Sequence, residues 1–189
     1  MQSMAATTTH LLTVEEFRAL PEDSGTVYHE LRHGEVVAVT RPKLKHKLVQ
    51  RNLRRLLEEI AEPTSYVDTE MPFRPLPEYE LWEADVAYVS PARFAEADPE
   101  DNVRGAPDLV IEVLSPSNTV DEMIERERIC LENGAREFWV VDQKRRQVKV
   151  STPDGRTITY RSGQEISLWF SNGRTVAVDA IFSADIFTR

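Results

Sequence analysis

Two acidic side chains stand in segments that otherwise have the pattern of buried strands. Glu112 interrupts the apolar run Leu109-Val-Ile-Glu-Val-Leu114, and Asp85 lies within Trp82-Glu-Ala-Asp-Val-Ala-Tyr-Val89. A buried carboxylate is costly unless it is paired, hydrogen-bonded or bound to a metal ion. Two carboxylates that converge from adjacent strands predict a hard-oxygen site for Mg²⁺, with Mn²⁺ as an alternative. The other interpretation is that each acid bonds a local arginine or backbone amide.

The elements that would position these acids follow from hydrophobic periodicity and capping signals. In chain order they are a helix over residues 43–60, strands over 65–74, 81–89 and 109–114, a helix from the capping box Thr119-Val-Asp-Glu122 to Gly134, and a strand over 137–142. The order helix, three strands, helix, strand predicts an α/β fold. We expect a four-stranded mixed sheet flanked by helices, with additional N- and C-terminal β-hairpins.

The 189 residues fit one domain that can bury a sizeable core. We expect a disordered lead-in over residues 1–10 and a single domain over 11–189. Within that domain, the core spans about residues 43–142 and a C-terminal β extension spans 145–182. The polar, acidic segment 91–105 is predicted to be a mobile loop.

Composition excludes several classes of protein. Lys and Arg number 23 against 32 Asp and Glu, a formal net charge of −9, which argues against coating nucleic acid or a membrane through bulk charge. The one cysteine, Cys130, excludes a disulfide within the chain and zinc sites that need two thiolates. No run approaches the roughly 20 apolar residues of a membrane span, and residues 1–10 lack signal-peptide character, so we expect a cytoplasmic protein.

Basic residues are nevertheless concentrated on the first long helix. Four of them recur every fourth position: Lys43, Lys47, Arg51 and Arg55. Such a stripe can follow a phosphate backbone, and the alternative is an ordinary solvated helix face.

Five motifs occur together in a specific order. They are Tyr28-His-Glu-Leu-Arg-His-Gly-Glu35, His46 near the start of a helix, Ala84-Asp85-Val86, Pro107-Asp-Leu-Val-Ile-Glu-Val-Leu-Ser-Pro-Ser117 and Gly134-Ala-Arg-Glu-Phe-Trp-Val-Val-Asp142. In this combination, over about residues 12–168, the sequence resembles the Uma-type family of restriction-endonuclease-like proteins in the PD-(D/E)XK nuclease superfamily. The resemblance implies the restriction-endonuclease-like core, with Asp85 and Glu112 as the acids that bind Mg²⁺.

The sequence departs from that superfamily at the lysine of its motif. Leu114 stands at the usual position, two residues after Glu112, and the family's alternative position on the following helix holds Arg126. Arginine can stabilise negative charge on a phosphate, but it cannot act as a general base because it stays protonated. An ordinary solvated arginine is the other interpretation of Arg126.

The resemblance also assigns roles to two further residues. His46 corresponds to a family histidine, which makes it a candidate catalytic contact to phosphate or a support for a metal ligand; a satisfied core histidine is the alternative. Glu30 belongs to the Tyr-x-Glu-Leu motif and is a candidate third acid, although a hairpin can equally need an acid at this position.

The resemblance implies a metal-dependent endonuclease that hydrolyses phosphodiester bonds, with DNA favoured over RNA as substrate, and it favours a homodimer. The alternative is a catalytically degenerate, non-enzymatic dimeric interaction module of the same fold. Arg126 and the acidic composition favour this alternative.

Overall fold

The computed structural model describes residues 10–21 and 27–183, so most of the predicted lead-in lies outside the described residues. The helices are α1 (Val14–Arg18), α2 (Leu44–Ile60), α3 (Pro91–Ala95), α4 (Val120–Glu132) and α5 (Val178–Ile181). The strands are β1 (Val27–Arg32), β2 (Glu35–Thr40), β3 (Tyr66–Arg74), β4 (Trp82–Val89), β5 (Val103–Arg104), β6 (Leu109–Val113), β7 (Glu137–Asp142), β8 (Gln147–Ser151), β9 (Thr157–Arg161), β10 (Glu165–Ser167) and β11 (Thr175–Ala177).

A central mixed sheet organises the chain in the order β5-β3-β4-β6-β7-β8-β9. The pairs β6–β7 and β3–β5 are parallel, and the other neighbours are antiparallel. The predicted mixed sheet between helices is confirmed, but it has seven strands and not four. Strands β8 and β9 continue the sheet by antiparallel hairpins, because each pairs along its full length with its predecessor.

Two apolar clusters hold the helices on opposite faces of this sheet. Leu53 and Leu57 of α2 pack into one cluster with Leu109, Ile111 and Val113 of β6. Ile129 and Cys130 of α4 pack into the other cluster with Val110. The side chains of β6 therefore alternate between the two clusters, and this periodicity directs Glu112 toward the α4 face. Among the described helices, none combines the length and apolar character needed to cross a membrane.

The hairpin β1–β2 forms a separate two-stranded sheet. Its turn is His33-Gly34, with φ of 51° and 73°, and this left-handed backbone suits a two-residue hairpin. A Cβ on Gly34 would lie 2.7 Å from Leu11 Cβ, so the turn also needs glycine for space. The hairpin joins the body of the molecule through reciprocal backbone hydrogen bonds between Leu31 and Leu81, of 3.0 and 2.9 Å.

The prediction of a mobile loop over residues 91–105 was wrong. The segment contains α3 and β5, and ion pairs anchor it to the rest of the chain. Arg18, Arg74 and Arg104 all contact the Asp101 carboxylate, at N–O distances of 2.6 to 3.0 Å. Composition indicated a solvated acidic loop because two of the three partner arginines, Arg18 and Arg74, lie elsewhere in the sequence. The Asp101 side chain is only 8% exposed.

We expect Asp101→Asn to lower the free energy of unfolding by about 1.5–3 kcal/mol at pH 7, the range for hydrogen bonds to charged groups. Burial alone would raise the pKa of Asp101, but hydrogen bonds from Arg18, Asn102, Arg104 and Arg74 outweigh burial and hold this pKa well below its usual range. The ionised form therefore stabilises the fold above pH ~4, and this stabilisation is lost as the pH falls further. Urea unfolding at several pH values measures the difference, and a gap between wild type and variant that widens below pH ~4 would contradict this account.

Candidate active site

The ladder between β4 and β6 ends where the two candidate acids stand. Its last pair is Val86 with Ile111, and Asp85 and Glu112 are the residues that adjoin this pair on their two strands. The ladder stops because Asp85 Oδ2 accepts a hydrogen bond of 2.7 Å from the amide of Val113. The two carboxylates thus lie on adjacent strands, at the same end of their ladder, and both line one cavity.

Helix α2 fixes the Asp85 carboxylate from the side. His46 Nε2 lies 2.9 Å from Asp85 Oδ1, and Gln50 Nε2 donates to the same oxygen at 2.8 Å. His46 and Gln50 are four residues apart, so they lie on the same face of the helix. His46 therefore contacts a candidate metal ligand. Sequence reasoning missed Gln50, although its spacing from His46 was an available signal.

Arg126 is buried beside Glu112, so the interpretation as a solvated arginine was wrong. Its Nη2 donates to Glu112 Oε1 and to the backbone carbonyl of Glu83, both at 2.9 Å. Its guanidinium lies 4.8 Å from the centre of the Trp82 ring, over its face. Arg126 Nε is buried without a hydrogen-bond partner among the described residues. Both terminal nitrogens of the Arg126 guanidinium are therefore engaged in hydrogen bonds within the protein.

Glu30 is the second buried partner of Arg126. Arg126 Nη1 donates to Glu30 Oε2 at 3.0 Å, and Arg32 Nε donates to the same oxygen at 2.7 Å. Glu30 Oε1 accepts from the Glu83 amide at 2.9 Å, which ties the separate hairpin to β4. The candidate third acid therefore lies next to the other two, and its observed bonds are structural.

Close carboxylates give this region excess negative charge. Burial raises the pKa of Glu112, and the charges of Asp85 and Glu30 raise it further, whereas Arg126 opposes the shift. Burial also raises the pKa of Glu83 to about 7, with added effects from Glu70, Glu30 and Asp85. Sequence reasoning missed Glu83, although it stands two residues before Asp85 on the same strand. A bound cation would relieve this repulsion.

Both acids open into a cavity of about 410 Å³, which we call the central cavity. It is also lined by His46, Arg126 and Glu83. Among the described residues, no group of three or more His, Cys, Asp or Glu side chains is arranged to enclose a metal ion. The donor set nevertheless fits Mg²⁺, which typically binds one or two carboxylates and keeps several waters. An ionised carboxylate has about four acceptor positions, and within the described part of the chain Glu112 shows one hydrogen bond.

Ion pairs neutralise two of the four residues of the predicted basic stripe. Lys47 pairs with Glu70, and Arg55 pairs with Glu59 at 2.8 Å. Arg51 is exposed and does not line the central cavity. Lys43 lines the cavity together with two neighbours that the stripe did not include, Arg41 and Lys45, and all three are exposed. We refer to Arg41, Lys43 and Lys45 as the cavity cations.

Comparison with known proteins agrees with this fold. A crystal structure from Anabaena variabilis ATCC 29413, described as "a putative nuclease belonging to DUF820", superposes with a TM-score of 0.75 at 20% sequence identity, over 90% of this chain and 97% of that chain. At this identity the likeness shows the same fold. No curated protein matches the chain. The model of the family described as "Uma2: Putative restriction endonuclease" matches residues 14–182, nearly the whole length. The chain therefore belongs to the Uma2 family of restriction-endonuclease-like proteins.

Proposed function

We propose that this protein is a Mg²⁺-dependent endonuclease that hydrolyses phosphodiester bonds in DNA. One observation carries the proposal: Asp85 and Glu112 each stand next to the last pair of the β4–β6 ladder, and both line one cavity together with exposed cations. Two carboxylates with a fixed arrangement suit a divalent cation, and the cations suit a phosphate backbone. Family membership supports the same reaction class.

Asp85 and Glu112 would hold the metal ion. When bound, Mg²⁺ would polarise the phosphoryl oxygen, lower the pKa of the attacking water and stabilise charge on the leaving oxygen. His46 and Gln50 orient Asp85, while Arg126 orients Glu112 and balances its charge. The resemblance puts Arg126 at the position of the family lysine, and its bonds to Glu30 and Glu112 favour the role of a positioning residue. It does not accept a proton, because a guanidinium remains charged.

Plasmid cleavage tests this function. We expect supercoiled plasmid to become nicked and linear with Mg²⁺ or Mn²⁺, and to stay intact with EDTA. A parallel assay on single-stranded DNA and single-stranded RNA of the same sequence and length compares the two substrates, with the DNA expected to be cut faster. Absence of cleavage of every substrate across both metals would reject the catalytic proposal.

The cavity cations give a separate prediction about DNA affinity. We expect Lys43→Glu together with Lys45→Glu to weaken DNA binding and to reduce the slope of log K against log salt by about one for each lysine that no longer neutralises a phosphate. Arg54→Glu together with Arg55→Glu is the matched control, because it changes the net charge by the same amount. Both arginines already pair with acids on α2, Glu58 and Glu59. Fluorescence anisotropy over a salt titration measures both effects. Equal losses of affinity in the two variants would show that only net charge matters.

A non-catalytic, dimeric interaction module is the second candidate. The observation that favours it is Arg126, because its buried bonds to Glu30 and Glu112 neutralise part of the acidic site without a metal ion. Titration calorimetry with Mg²⁺ and Mn²⁺ distinguishes the candidates. An endonuclease requires divalent binding that depends on both Asp85 and Glu112, whereas the module requires no binding at this site. Sedimentation velocity tests the proposed homodimer.

A further inference from the structure

The central cavity is larger than contact with a duplex phosphate requires. Its volume of about 410 Å³ falls within the range of pockets that enclose a small ligand. Glu112 lies inside it and is only 8% exposed. Phosphates of a duplex lie on its outer surface, while the bases remain stacked within. An uninterrupted duplex would therefore bring its phosphate to the cavity and leave most of the space unfilled.

The walls of the cavity suit a base more than a second phosphate. The separate hairpin β1–β2 forms one wall, which contributes Tyr28 and Val39. The loop that follows β6 contributes Leu114 and Pro116, and Pro42 adds another apolar surface before α2. Apolar walls of this kind gain free energy when a flat, weakly hydrated group displaces water from them.

Tyr28 also provides a place for stacking. The guanidinium of Arg41 lies 5.9 Å from the centre of the Tyr28 ring, so an aromatic ring and a cation meet at this wall. Bases stack on aromatic side chains without regard to sequence, and arginine adds cation–π attraction. Lys43 and Lys45, exposed on the same cavity, can hold the adjoining phosphates.

We propose that one unpaired nucleotide of a DNA strand enters the central cavity, with its base against Tyr28 and its phosphate toward Asp85 and Glu112. This inference rests on the proposed function and names its substrate class. The preferred substrate is single-stranded or locally unpaired DNA, and an uninterrupted duplex binds and is cut poorly.

Binding of matched oligonucleotides tests this preference directly. The probes are one labelled 24-nucleotide DNA strand alone, the same strand in a full duplex, and the same duplex with a three-nucleotide bubble, all with Ca²⁺ in place of Mg²⁺, so that a divalent cation offsets the carboxylates without the octahedral geometry that Mg²⁺ demands. We expect the strand and the bubble to bind at least about tenfold more tightly than the duplex, as base stacking on an aromatic ring allows. Equal affinity for all three probes would overturn the proposal.

Variants of Tyr28 test the stacking wall. We expect Tyr28→Ala to weaken binding of the single strand about 10- to 100-fold, and Tyr28→Phe, which keeps the ring, to bind like the wild type. Thermal unfolding of both variants checks that they fold. A second readout needs no variant: 2-aminopurine placed at successive bubble positions should change its fluorescence at one position on binding. A uniform change along the bubble, or unaltered binding by a folded Tyr28→Ala, would overturn the proposal.

Cleavage of the same probes with Mg²⁺ separates this inference from the proposed function. Cleavage of the duplex at the rate of the bubble would support the nuclease and overturn the nucleotide-binding cavity. Absence of all cleavage with preferred, Tyr28-dependent binding of unpaired DNA would reject the nuclease and support the cavity.

Discussion

Replacing Arg126 with alanine is expected to lower the free energy of unfolding by about 3–5 kcal/mol, the range for removing one partner of a buried ion pair. The side chains of Arg126, Glu30 and Glu112 are 5%, 2% and 10% exposed. Without the guanidinium, Glu112 would lose the one hydrogen-bond partner that the described residues give it. Among the same residues, Glu30 would keep only Arg32 and the Glu83 amide, and the Glu83 carbonyl would lose this donor. Arg126→Lys keeps the charge but not the forked geometry, so we expect an intermediate loss of stability.

A control for this prediction lies two residues further along the same helix. Arg128 pairs with Glu132 at 2.6 Å, and both side chains are 56% exposed. We expect Arg128→Ala to change stability by less than about 1 kcal/mol, because exposed ion pairs contribute little. Urea unfolding compares the variants. A loss below about 1 kcal/mol for Arg126→Ala would contradict the buried-pair interpretation.

The same variants report on the candidate active site. Since Arg126 bonds Glu112 Oε1, its removal frees the carboxylate to rotate and leaves its negative charge uncompensated. A merely structural role predicts loss of activity only in proportion to unfolding. A positioning role predicts that folded Arg126→Lys retains weakened divalent binding with a changed dependence on pH. Calorimetry at several pH values separates the two roles.

Local patterns predicted most of the fold. The helix 43–60 and the strands around Asp85 and Glu112 were found with nearly correct ends, because periodicity and proline or capping signals are properties of neighbouring residues. The seven-stranded sheet was only partly foreseen. Whether β8 and β9 continue the sheet or fold away from it depends on pairing with β7, which the hydrophobic pattern of a single strand does not encode.

The sequence did not reveal which ion pairs form between residues that are far apart in the chain. The resemblance singled out Arg126, but its place in a Glu-rich helix left a solvated arginine as the alternative, because its partner Glu30 is 96 residues away. Lys47 is likewise neutralised by Glu70, 23 residues away. Asp85 and Glu112 were easier to recognise, because a charge in an apolar strand is anomalous whatever its partner.

Asp85→Asn is expected to reduce Mg²⁺-dependent cleavage by about a thousandfold or more, because the charge stabilisation that a metal ion supplies amounts to several kcal/mol. The substitution keeps the size of the side chain but removes the charge that a hard cation requires. We expect divalent binding to be lost as well, which calorimetry measures independently of turnover.

Asp108→Asn is the matched control for Asp85→Asn. Asp108 is also a buried carboxylate that accepts a backbone hydrogen bond, from Ser90 at 2.9 Å, and it precedes β6 at the end away from Glu112. Loss of its charge should leave divalent binding and cleavage near the wild-type values at a temperature where the variant is folded. Equal losses of cleavage in the two variants would show that the Asp85 carboxylate, like that of Asp108, acts only by stabilising the sheet. If folded Asp85→Asn alone lost both binding and cleavage, the Asp85 charge would be the part of this site that holds the metal ion.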